Sequence, residues 1–125
     1  MLKIRKNAEL VDIEPEKLDE VDDASIKELI TDILDYSPNR HEIFLKLIKK
    51  IRKDGTIAFY GIELLEVSRA LVNRHMGSEE ANKLLYNGKL SVVTKDYLLD
   101  KLTEQKFHIL TKRIDNNQYC VVAKR

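Results

Sequence analysis

A helix followed, after a short stop, by a buried strand constrains this chain most. After Pro38, the residues Ile43, Phe44, Leu47, Ile48 and Ile51 recur at helical spacing and form one apolar face. Asn39 stands where an N-cap belongs, with Glu42 three residues on in capping-box position. Lys49, Lys50, Arg52 and Lys53 suit the negative end of the helix dipole. Asp54-Gly55 stops the helix, because glycine accepts the left-handed conformation of a helix terminus. Thr56-Ile57-Ala58-Phe59-Tyr60 then reads as a short strand. Its run is apolar without polar alternation, the pattern of a strand covered by helices on both sheet faces. Continued alternation of strand and helix along the chain would place it in the α/β class.

The remaining segments extend that alternation. Strands are expected near Glu9 to Ile13 and Leu29 to Leu34. Helices are expected from about Ile62 to Arg74, from Glu79 to Tyr86 behind a Ser78 cap, and from Thr94 to about Glu104. Phe107 to Ile114, the turn Asp115-Asn116-Asn117 and Gln118 to Ala123 form a β-hairpin signal, since Asn tolerates the positive φ of such turns. With 125 residues and no repeat or linker, residues 1–125 read as one domain.

Composition limits the partners. Hydrophobic residues make up 43% and charged residues 34%, a globular rather than a disordered balance. The net charge of +1 argues for neither a nucleic-acid nor an anionic-membrane surface. No apolar run approaches the roughly 18 residues of a membrane span, and no signal peptide is evident near Met1. One cysteine, Cys120, rules out an internal disulfide and fits a reducing, cytoplasmic setting as a buried strand residue. His41, His75 and His108 are dispersed, so no metal-ligand pattern arises. Ser68 lacks a nucleophile-elbow frame. Lys106, Lys112, Arg113, Lys124 and Arg125 gather at the hairpin, where strand-edge cations commonly block aggregation.

The order strand, helix, strand, helices, antiparallel hairpin resembles the second half of a class I S-adenosylmethionine-dependent methyltransferase. Several segments carry the resemblance. Val11-Asp12-Ile13-Glu14-Pro15 is similar to the family's second strand, whose terminal acid binds the cofactor ribose. Val21-Asp22-Asp23-Ala24-Ser25 resembles the Asp-Ala step that faces the adenine. Ile33-Leu34-Asp35-Tyr36 sits where the family's fourth strand ends, near substrate. Ile51 to Ile57 resembles the Gly-containing turn into the fifth strand. The resemblance implies a Rossmann-like mixed sheet with a C-terminal antiparallel hairpin, shortened at its amino end. It implies S-adenosylmethionine as cofactor, and Asp12, Asp22, Asp23, Asp35 and Tyr36 as cofactor-site residues. Read alone, Asp12 is a strand-end carboxylate, Asp22 and Asp23 solvate a turn, and Tyr36 is a packing ring.

The amino end departs from the family. A nucleotide cradle needs a strand, a Gly-rich turn and a helix whose N-terminus presents free N–H groups. No glycine precedes Val11, and only Arg5 to Glu9 connect Leu2-Lys3-Ile4 to Leu10-Val11. A parallel crossover needs about a dozen residues. The first strand is therefore either lost or paired as an antiparallel hairpin. Three functional expectations follow: a degenerate methyltransferase-like domain that binds or scaffolds within a homo-oligomer or larger assembly; an active methyltransferase with a rebuilt cofactor site; and an unrelated α/β adaptor. The first carries a further expectation, that part of one sheet face lies uncovered and meets a protein partner.

Overall fold

The computed structural model describes residues 1–125. Six strands form one mixed sheet: β1 (Leu2–Arg5), β2 (Val11–Asp12), β3 (Ile26–Thr31), β4 (Ile51–Ile62), β5 (His108–Asp115) and β6 (Gln118–Lys124). Four helices accompany them: α1 (Arg40–Lys50), α2 (Leu64–Val72), α3 (Ser78–Tyr86) and α4 (Lys95–Glu104). The strand order is β2-β1-β3-β4-β6-β5. Only β3 and β4 are parallel neighbours, joined through a 3-10 turn at Ile33–Tyr36 and α1.

Of the two outcomes open for the first strand, the antiparallel one occurs. β1 pairs antiparallel with β2, Lys3 opposite Asp12 and Ile4 opposite Val11. It also pairs antiparallel with β3, from Leu2 opposite Thr31 to Arg5 opposite Glu28. The strand expected over Glu9 to Ile13 shrinks to Val11–Asp12. The strand expected over Leu29 to Leu34 is shifted to Ile26–Thr31. It ends there because the Thr31 hydroxyl accepts the Ile33 N–H at 3.1 Å and turns the chain.

Two further expectations need correction. Helix α1 ends at Lys50, and β4 begins at Ile51 rather than at Thr56. Asp54-Gly55 is thus a kink inside a long strand and not a helix stop. Asp54 takes a left-handed φ of 66°, which a short polar side chain tolerates. Asn39 occupies the N-cap position of α1, but its side chain makes no capping hydrogen bond. The hairpin is as expected: Asn116 and Asn117 both have positive φ, 50° and 64°, as a two-residue primed turn requires.

Helices α1 and α4 cover one face, and the other is covered only at the end of β4, which corrects the two-sided cover read from Thr56 to Tyr60. Register places Leu2, Ile4, Leu29, Ile57, Phe59, Val121 and Ala123 on the same face. They join Phe44, Leu47 and Ile48 of α1, Leu98 and Leu102 of α4, and Leu18 of the 3-10 helix Pro15–Glu20 in one core. A smaller cluster, Ile62, Val67, Met76 and Ala81, seats α2 and α3 beyond the end of β4.

Gly61 of β4 lies opposite Tyr119 of β6 and leaves room for its ring. A Cβ there would meet the Tyr119 hydroxyl and come within 2.6 Å of ring carbon Cζ. Tyr119 is fully buried and cannot retreat. Gly61→Ala should therefore destabilise the fold by about 1–3 kcal/mol, the usual cost of overpacking. Urea denaturation of the two proteins checks it.

Candidate functional site

In open α/β sheets, ligands bind beyond the carboxyl ends of parallel strands. At that edge this chain places two buried carboxylates, Asp35 and Glu63. Asp35 lies in the turn after β3 and is 1% exposed. Its Oδ1 accepts two hydrogen bonds from the Arg40 guanidinium, both at 3.2 Å. Its Oδ2 accepts the Ile62 N–H at 3.0 Å. Its main-chain oxygen accepts the N–H groups of Leu90 and Ser91 at 2.7 and 3.1 Å. One side chain and its backbone thus tie β3, α1, β4 and the loop ahead of α4 together.

Arg40 also reaches Tyr119, with Nη2 donating to the hydroxyl oxygen at 3.3 Å. Burial pushes the Asp35 carboxyl above its ordinary value, against the opposing pull of the Ile62 N–H, Arg40 and Lys89. Burial, followed by the Asp35 charge, pushes the Tyr119 phenol up to about 12. Tyr119 is therefore a neutral hydroxyl at any physiological pH.

Glu63 is 2% exposed and caps α2. Its Oε2 accepts the Leu65 and Glu66 N–H groups at 2.7 and 3.3 Å. Its Oε1 accepts the Lys95 N–H at 2.6 Å, joining the starts of α2 and α4. Both carboxylates are saturated by donors inside the fold, and neither faces a cavity. Their chemistry is positional.

The five residues singled out from sequence divide between two edges. Tyr36 follows Asp35 and is 43% exposed. The Lys89 ammonium lies 5.4 Å from its ring centroid, within cation–π range. Tyr36 borders a groove of about 410 Å³ with Met1, Pro15, Glu16, Pro38 and Ile43. Asp12 is exposed near the same edge, opposite Lys3 on β1. Asp22 and Asp23 precede β3, at its amino end. Six strand residues separate the two edges, about 17 Å at ~3.3 Å per residue. Asp12 and the Asp22-Asp23 pair are not brought together.

Asp23 is instead engaged with α1. The Lys50 ammonium lies 3.1 Å from Asp23 Oδ1 and donates to the Val21 carbonyl at 2.6 Å. Ala24 takes a positive φ of 55°, so the turn before β3 is sharp.

Arg40, Glu63 and Tyr119 were not signalled by sequence. Arg40 sits in the first turn of a helix, where a cation opposes the dipole and reads as a solvated residue. Glu63 is an uncommon cap type. The available signal was its place between the strand end Gly61-Ile62 and an apolar helical run.

At the amino end, Lys6–Leu10 join β1 to β2 with no glycine and no helix. This connection brings neither a glycine backbone nor helix N-terminal amides to the strand ends.

Removing the Asp35 carboxylate leaves the Arg40 guanidinium buried without its partner. Asp35→Ala should cost about 3–5 kcal/mol, as breaking a buried pair does. Asp35→Asn keeps the acceptor and separates charge from hydrogen bonding. A raised native pKa means that the folded state binds the Asp35 proton more tightly than the unfolded state. The Asp35 contribution to stability is then largest below the ordinary value of 3.8 and falls as pH rises through the raised value. The stability of Asp35→Asn relative to the parent should therefore increase with pH across that interval, as read from urea midpoints. An unchanged difference would refute the assignment.

No protein-family model matches the chain, and no curated protein matches its sequence.

Proposed function

We propose that this chain is a degenerate methyltransferase-like domain that serves as a binding or structural module in a homo-oligomer or larger assembly. One observation carries the reading: β1 runs antiparallel to both neighbours, with a five-residue connection in place of a Gly-rich turn and helix. A cofactor cradle needs the opposite strand direction, so that its loop and helix stand at the carboxyl edge.

The other half of the sheet supports the family resemblance. Strand β6 is inserted antiparallel between β4 and β5, and the terminal hairpin supplies both strands. That arrangement is what the resemblance implies for a class I methyltransferase. Helix α1 crosses from β3 to the parallel β4, as the family's fourth and fifth strands are connected.

A second reading, an active S-adenosylmethionine-dependent methyltransferase, draws on the groove beside Tyr36 at the carboxyl edge. It requires a cofactor site rebuilt without Asp22 and Asp23, which lie at the amino end of β3. Asp35 is unsuited to proton transfer in such a site, since both its oxygens are already engaged.

Calorimetric titration with S-adenosylhomocysteine separates the two readings. The binding-module reading expects no heat of binding at millimolar ligand. Saturable binding, abolished by Tyr36→Ala, would overturn it in favour of an enzyme.

A further inference from the structure

One face of the sheet has no helix over its middle; α2 and α3 cover it only at Ile62, the end of β4. Ile30 of β3, Ala58 and Tyr60 of β4, and Cys120 and Val122 of β6 share that face by register. Ile30, Ala58, Tyr60 and Val122 are half-buried and belong to neither apolar cluster of the fold. The strip ends at its upper side where Ile62 passes beneath Val67, Met76 and Ala81. It is a continuous apolar band across the three central strands, with Cys120 buried within it and the other four side chains half-buried.

The border of this band is charged but internally balanced. Arg5 pairs with Glu28 at 3.4 Å, and Arg113 pairs with Asp115 at 3.4 Å. Lys3 faces Asp12 across the β1–β2 ladder. Only Lys124 is left without an acidic counterpart on this face. Such a rim offers no field to a polyanion or a polycation. It does suit an identical face, because apposing it with itself creates no block of like charge.

The size of the face also fits a second copy. Six strands about 4.8 Å apart, paired over about six residues of ~3.3 Å, cover roughly 500 Å² in plan. Two such faces bury about 1,000 Å², the lower bound of a specific interface. Small and β-branched side chains at Ala58, Thr56, Thr111 and Val122 allow two sheets to approach to the usual ~10 Å.

We infer that this face is a homodimer interface, in which a second copy of the chain packs sheet on sheet about a two-fold axis. The inference rests on the binding-module reading and names its partner. Interdigitation of the two Ile30-to-Val122 bands replaces the missing helical cover, and the paired rims close around them. At the small end of the interface range, the dimer dissociates on dilution.

Sedimentation velocity of the full chain, from about 5 to about 300 μM, tests this. The expected result is a concentration-dependent rise to twice the mass of one chain. Ala58→Glu and Ile30→Lys each place a charge in the band and should hold the protein at the mass of one chain, with an unchanged circular dichroism spectrum. Val72→Glu, at a residue 80% exposed on α2, should leave the dimer intact. A parent chain that stays monomeric at the highest concentration overturns the inference without recourse to any variant. So does a dimer that survives both Ala58→Glu and Ile30→Lys. A monomer that binds no S-adenosylhomocysteine defeats only this inference. A dimer that does bind it, and is split by Ala58→Glu, upholds the interface and defeats the binding-module reading.

Discussion

The five residues Lys6–Leu10 are too short a connection for two parallel neighbours, and the sheet is arranged around that limit. A chain that leaves β1 and must rejoin the sheet within five residues can only fold back beside it. β1 is therefore antiparallel to β2. Its other side is taken by β3, also antiparallel, so that β1 becomes an interior strand with both edges paired. Three consequences follow. The sheet keeps a single parallel pair. No helix is generated between β1 and β2 to cover the second face. The β1–β2 connection contributes no helix N-terminal amides.

The rest of the structure compensates on the covered side. The core rests on one face of the sheet, with α1, α4 and Leu18 as its roof. At the carboxyl edge, beside the groove that Tyr36 borders, two buried carboxylates are engaged by internal hydrogen bonds. Asp35 spends every acceptor on Arg40, Ile62, Leu90 and Ser91. Glu63 does the same for the starts of α2 and α4. Buried carboxylates in this position are tied to neighbouring elements by charge-assisted bonds, and they hold those elements in register instead of presenting chemistry. The raised Asp35 value records what that burial costs the ionised form.

Local signals in the sequence located most elements. The Ile43-to-Ile48 periodicity places α1, Thr94 caps α4 through the Tyr97 N–H, and Asn116-Asn117 makes the hairpin turn. The limit on the amino-terminal strand was legible because it depends only on chain length. What failed depended on tertiary context. Thr56 to Tyr60 carries no polar residue after Thr56, so alternation could not reveal that Ala58 and Tyr60 look away from the core. Ile51 reads equally as the last residue of an apolar helical face or the first of a strand, and its pairing with Ile26 decides for the strand. Asp35 was singled out as a site residue, yet its partners lie five, twenty-seven and fifty-five residues away in sequence, beyond any periodicity. Asp22 and Asp23 were grouped with Asp12 by the family resemblance alone, while the sheet separates them by the length of β3.

The direction of β1 is the central claim, and proton–proton contacts in solution read it directly. Antiparallel neighbours bring Hα protons of facing residues close together, and parallel neighbours do not. Nuclear Overhauser contacts between Hα protons should appear from β1 to both sides, within the pairs Lys3–Asp12 or Ile4–Val11 on one and within Lys3–Ile30 or Ile4–Leu29 on the other. Contacts of a parallel pattern between β1 and β3, or a helix between Arg5 and Val11, would contradict the account.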